Sequence, residues 1–165
     1  MYEVGDRMVY GVHGVCRVAG CEERKVDRRR QRYLVLEPIG QAGSQYMVPT
    51  ENQAAMAKLH PLLTRQELEG LLSSPQVHTV SWISDENQRK QRYWEIMASG
   101  DRQQMMQMVY TLYRHREAQA AAGKKCHVTD EFFLRDAEKL LIGEMAVVLD
   151  LDQEQAKLQL QAGLT

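Results

Sequence analysis

Residues 80–101 read VSWISDENQRKQRYWEIMASGD. Val80, Trp82 and Ile83 are apolar without helical period, so residues 76–83 are expected to be a loop. Ser84 or Asp85 opens a helix, and Asp85 and Glu86 in its first turn suit the positive end of the helix dipole. Tyr93, Trp94, Ile96 and Met97 supply its apolar side, with Trp94 expected in the core. Gly100 gives the left-handed C-terminal stop, and Asp101 caps a following helix with almost no joint. Trp82 thus stands just ahead of a helix whose first turns carry Arg89, Lys90 and Arg92. An apolar wedge beside a cluster of cations suits the gripping of a nucleic-acid backbone and the prying of a base step.

The chain on either side of this stretch is helical towards the C-terminus. Thr64-Arg65-Gln66-Glu67 has capping-box form and opens a short helix that ends near Pro75. After Asp101, Met105, Met108, Val109, Leu112 and Tyr113 recur at helical spacing, an adaptable core stripe rich in methionine. Thr129 or Asp130 is expected to cap the longest helix, whose stripe is Phe133, Ala137, Leu140, Leu141, Met145 and Val148. Asp150 or Asp152 caps a last short helix. Short joints between these helices predict a compact all-α bundle over residues 64–165.

Residues 1–57 have period two instead. Met8-Val9-Tyr10, residues 15–21, Arg32-Tyr33-Leu34-Val35-Leu36-Glu37 and residues 44–48 read as strands, the last stopped by Pro49. His13-Gly14 is a turn, residues 25–30 are a charged hairpin tip, and residues 58–63 are a linker. Four or five short antiparallel strands predict a small open barrel with a thin core. The fold class is α+β in two domains.

The 165 residues are 44% apolar and 26% charged, with net charge −1, ordinary values for a soluble globular chain. No apolar run spans a bilayer and the N-terminus is unlike a signal peptide, so a cytoplasmic location is expected. Cys16, Cys21 and Cys126, without a CxxC pair, point to a reducing compartment and to buried or half-buried thiols that serve as small apolar residues. No metal or cofactor site is expected. Residues 85–127 hold eight cations and five acids, a local surplus of about three in an acidic chain, and a local surplus steers polyanions. A solvated helix face explains the charge equally well; Trp82 tips the balance.

The residues VGDRMVYGVHGVCRV, RYLVLEP and VPTEN in the N-terminal part, then the tryptophan loop, the basic helix, ASGD, VYTLYRHR and DEFFLRDAEKLLIGEMAVVL, resemble in order and spacing the CarD family (CarD/CdnL) of bacterial RNA polymerase-binding transcription regulators. The resemblance covers nearly the whole chain. It implies an N-terminal Tudor-like barrel, shared with transcription-repair coupling factors, that docks on the RNA polymerase β subunit. It also implies a helical domain that contacts promoter DNA, independently of sequence, at the upstream edge of the transcription bubble. There a tryptophan wedged in the minor groove stabilises the open complex. On this chain the polymerase contacts would be Arg24, Met47 and Pro49, with Met47 where the family commonly carries a basic residue before Val-Pro. The DNA contacts would be Trp82, Arg89, Lys90 and Arg92, with Trp94 the rival for the wedge, although its place among Tyr93 and Met97 suits the core better. In many members the tryptophan lies about four residues nearer Ser-Gly-Asp, where this chain has Glu86; roughly four residues make one helical turn. A regulator without catalytic activity is implied; a monomer is favoured in function, and pairing through the exposed edges of a thin barrel stays open.

Three other readings compete. A self-sufficient helix-turn-helix repressor needs a base-reading helix and usually a dimer. An enzyme built on Cys126-His127 lacks any recognised catalytic motif. An aromatic cage of Tyr10, Tyr33 and Tyr46 competes with ordinary cross-strand pairing.

Overall fold

A computed structural model describes residues 2–165, which divide into two compact units at Leu62/Leu63. The first unit is a sheet of five antiparallel strands: β1 (Arg7–Tyr10), β2 (Val15–Val26), β3 (Arg29–Pro38), β4 (Tyr46–Pro49) and β5 (Leu59–Pro61), in the order β4-β3-β2-β1-β5. The expected barrel is not closed, because among the described residues no ladder joins β4 to β5. With four residues in β4 and three in β5, the edge strands are too short to curl the sheet shut. Residues 58–63 are not the expected linker, since Leu59, His60 and Pro61 pair with Tyr10, Val9 and Met8. Between β4 and β5 lies one turn of helix, α1 (Gln53–Met56), capped by Asn52, whose Oδ1 accepts from the Ala55 amide at 3.1 Å.

One face of the sheet carries the core, in which Met8, Cys16, Val18, Leu36 and Val48 are at most 1% exposed. Tyr10, Tyr46, Ala55 and Met56 pack against them. Of the three thiols only Cys16 is deeply buried, while Cys21 is exposed, contrary to the expectation for it. Tyr33 pairs with Glu22 and Pro49, whereas Tyr46 pairs with Leu36, so Tyr33 and Tyr46 lie on opposite faces and the three tyrosines form no cage. The β2–β3 ladder shifts register between Val18 and Gly20, a bulge that breaks the even alternation expected for this strand.

The second unit holds α2 (Arg65–Leu72), α3 (Glu86–Ser99), α4 (Arg102–Ala121), α5 (Val128–Leu149) and α6 (Gln153–Gly163). Four starts follow one rule: Thr64, Asp85, Asp101 and Asp152 each accept a hydrogen bond from the amide three residues on. Gly100 has φ 72°, the left-handed value a side chain resists, and so permits the immediate turn from α3 into α4. The longest helix starts earlier than expected, at Val128 behind His127, which leaves Asp130 inside it and free for another task. Its side chains Phe133, Ala137, Leu141 and Met145 meet Met105, Met106, Val109 and Leu112 of α4 in one core. Glu144, 3% exposed, accepts from the Leu63 amide at 3.0 Å and pairs with Arg102 at 3.2 Å, which ties the entering chain to the bundle. No helix among the described residues is long and apolar enough to cross a membrane.

The tip of the β2–β3 hairpin places Asp27 and Arg28 at φ 50° and 65°. Two successive left-handed residues match the right-handed twist of a hairpin but suit Asn-Gly far better than Asp-Arg. Replacement of Asp27-Arg28 by Asn-Gly is expected to stabilise the sheet by about 1 kcal/mol. A denaturant melt read by circular dichroism checks this, and an unchanged or lower midpoint refutes it.

Candidate nucleic-acid interface

The basic cluster of α3 does not sit together in space. Side chains on a helix are separated by about 100° per residue, so neighbours in sequence diverge and residues four apart align. Arg89 points inward with Tyr93, Ile96 and Met97, the buried side of the helix. Lys90 shares a flank with Trp94, four residues on. Arg92 lies on the other flank, beside Ser81, Ile83 and the α4 residues Gln104 and Gln107.

Arg89 is therefore not available to a phosphate: it is only 5% exposed. Its Nε donates to Asp130 Oδ1 at 2.8 Å and its Nη2 to Asp130 Oδ2 at 3.2 Å, a bidentate pair between α3 and α5. Its Nη1 donates to the Ile83 carbonyl at 3.0 Å, which fixes the loop ahead of the helix. Tyr93 lies beside the pair, and burial, with the Asp130 charge adding, pushes its hydroxyl up to about 12. Arg92 is exposed, and its one ion pair among the described residues is with Glu95, at 3.4 Å. Such surface pairs exchange readily for a phosphate.

Trp82 is half-buried rather than a bare projection. One indole face stacks on His115 of α4, with centroids 3.6 Å apart and planes 15° from parallel. The other face has the Arg89 guanidinium 4.3 Å from its centroid. The Ser81 amide donates to Thr111 Oγ1 at 3.1 Å and holds the strap to α4. The indole is thus clamped on both faces with its edge outward, an orientation that a flexible loop would not supply. The exposure expected of the two tryptophans is reversed. Trp94, expected in the core, is 50% exposed, and the Phe133 ring it meets at 5.2 Å fills the interior instead.

In the first unit, Arg24, Met47 and Pro49 fall on one face of the sheet. Directly opposed residues share a face. Gly20, Val35 and Met47 form one cross-strand row, Glu22, Tyr33 and Pro49 the next, and Arg24 with Gln31 a third. This is the face opposite Leu34, Leu36 and Val48. Arg24 is exposed and its Nη2 lies 3.2 Å from Glu22 Oε2 in the same row system. Met47 and Pro49 are half-buried on β4, the edge of the sheet.

Two expectations follow from the clamp. Asp130→Ala leaves the Arg89 charge buried and unpaired, and should destabilise the helical unit by about 3–5 kcal/mol, whereas Arg89→Met with Asp130→Leu should recover most of that loss. Denaturant midpoints of the three chains decide it. Desolvation lowers the pKa of His115, with Arg89 acting in the same direction and Asp130 against both. The unfolded chain therefore binds this proton more readily. The stacking contribution is complete above the ordinary value of 6.5 and fades as pH falls through the depressed one. In a Trp94→Phe background, Trp82 emission should hold steady down to that value and change only below it; a change centred above it refutes the assignment.

Residues 2–60 match the family described as the CarD-like/TRCF RID domain, and residues 70–161 match the CarD C-terminal domain. The chain is also similar to the "Putative transcription factor YdeB" of Bacillus subtilis (strain 168), 22% identical over 157 residues, which are 95% of this chain and 98% of that one. An RID-type sheet followed by a CarD-type helical unit, in that order and with little left unmatched, places the chain in the CarD-like family.

Proposed function

We propose that this protein is a cytoplasmic, non-enzymatic transcription regulator. It docks on the RNA polymerase β subunit through the outer face of β2-β3-β4, and it stabilises the promoter open complex through Trp82 at the upstream fork. The observation that carries the reading is the clamped indole. Held between His115 and Arg89, Trp82 offers its edge as a stiff wedge, and a stiff wedge loses little entropy on insertion. Arg92 on the same flank supplies a phosphate contact and Lys90 a second one from the far flank, while Arg89 acts from inside by holding the wedge.

On the sheet, Arg24 meets carboxylates of polymerase by exchanging its contact with Glu22, and Met47 and Pro49 add an apolar step on the edge strand. Two exposed cations, Lys90 and Arg92, give weak, salt-dependent DNA affinity by themselves. Attachment to polymerase raises the effective concentration at the promoter, so a base code is unnecessary. The open form gains only as far as the regulator binds it better than the closed form.

The test pairs two variants. Arg24→Glu should lose pull-down by the β-subunit lobe while its thermal melt is unchanged. Trp82→Ala should keep pull-down but shorten the open-complex lifetime at least several-fold in a competitor-challenge assay. An unchanged lifetime sinks the wedge role; retained pull-down by Arg24→Glu sinks the docking face. Tight binding to a palindromic duplex without polymerase would instead support a helix-turn-helix repressor.

A further inference from the structure

A second aromatic surface lies on the α5 side of α3. Trp94 is 50% exposed, Phe132 46% and Val128 82%. The Trp94 and Phe132 rings stand 6.3 Å apart, and both lean edge-on against Phe133, at 5.2 and 5.6 Å. Phe133 is 1% exposed, so the outer rings are propped from the core and not loosely draped. Contiguous exposed apolar area of this kind marks an interaction site on a soluble chain.

Among the described residues, three cations outside any ion pair border it. Lys90 lies one turn before Trp94, and Arg135 and Lys139 continue the Val128-Phe132 stripe along α5 at three- and four-residue steps. All three are exposed, and among the described residues none joins an ion pair. Arg89, Arg92, Arg102 and Arg114 all do. The acids near them are largely engaged: Glu95 beside Trp94 pairs with Arg92, Glu86 one turn before Lys90 pairs with His127, and Glu138 accepts from Tyr113, while Glu131 and Asp136 are half-buried on either side of Phe132. Aromatic platforms flanked by uncommitted cations match an unstacked base with its phosphate, and match neither an apolar helix nor a duplex whose bases are already stacked.

We propose that Trp94 and Phe132 stack bases of single-stranded DNA, with Lys90, Arg135 and Lys139 holding its backbone. This rests on the DNA-contacting reading of the helical unit but uses neither polymerase nor Trp82. A single strand is the source because ring faces half open to solvent accept a base of any sequence, and melted promoter DNA supplies such bases.

The experiment is fluorescence anisotropy of a labelled oligo-dT of about a dozen nucleotides, a length suited to such surfaces, with the full chain at low salt. Saturable binding is expected, stronger than to a duplex of equal length. Trp94→Ala and Phe132→Ala should each weaken it about tenfold. Three backbone contacts predict a log–log salt slope near about −2, and Lys139→Ala should reduce its size by about 0.7. The oligonucleotide is offered without polymerase and without a duplex fork, so failure of the wedge or docking roles leaves this readout intact. Absence of binding, equal affinity for duplex, or wild-type affinity in both aromatic variants would overturn the proposal. So would a dimer that Trp94→Ala dissolves in a chain that ignores the oligonucleotide.

Discussion

The bidentate contact between Arg89 and Asp130 is the constraint on which the helical unit depends. Two charges taken out of water each cost several kcal/mol, and only near-ideal geometry with further hydrogen bonds offsets that cost. Here the two carboxylate bonds and the Ile83 carbonyl engage all three guanidinium nitrogens. A demand so specific has one solution for the rotation of α3 about its axis. Once Arg89 points at α5, helical geometry sends Lys90 and Trp94 to one flank and Arg92 to the other. The outward chemistry of α3 is thus set by an inward contact. The same guanidinium forms one wall of the Trp82 slot, so core electrostatics and the presentation of the indole are a single piece of structure.

A comparable dependence runs through the sheet. Side chains alternate faces along a strand, and a slip of one residue transfers every later one to the opposite side. The bulge between Val18 and Gly20 is such a slip, confined to β2. Before it, Cys16 and Val18 face the core; after it, Gly20, Glu22 and Arg24 face away. Without the extra residue Arg24 would share a face with Leu34 and Val48, where an arginine has no partner, and it would be separated from Met47 and Pro49. The irregularity in the ladder therefore aligns three side chains from two strands that do not touch.

Much of the architecture was legible in the residues. Thr64, Asp85 and Asp101 announce helix starts because short oxygen-bearing side chains satisfy first-turn amides, and Gly100 announces a stop. Local chemistry of that kind needs no knowledge of the rest of the fold. Non-local facts were not legible. That Arg89 is internal depends on Asp130, 41 residues away, and a cation near the start of a basic helix looks the same whether it is solvated or paired. Trp94 lies outside because the buried sector of α3, marked by Arg89, Tyr93, Ile96 and Met97, ends beside it, and the width of that sector is set by the helices that pack there. Phe132 likewise falls just outside the sector of α5 that buries Phe133 and Leu134. Closure of the barrel was misjudged because strand count is readable from period two, whereas the ends of short edge strands meet only if sheet curvature brings them together.

The two aromatic sites meet α3 at different points of its circumference: Trp82 lies over Arg89, which faces inward, and Trp94 stands on the exposed flank. The sites also differ in kind. Trp82 has both faces covered, by His115 and Arg89, so only its edge can enter a step and separate bases that remain on the duplex. Trp94 has Phe133 against one side and solvent on the other, so it can receive a base already released. Under the two proposals, an edge that parts a stack and a face that accepts what has been parted would favour the same state of DNA, and the product of two modest preferences would shift an equilibrium that neither would move far alone.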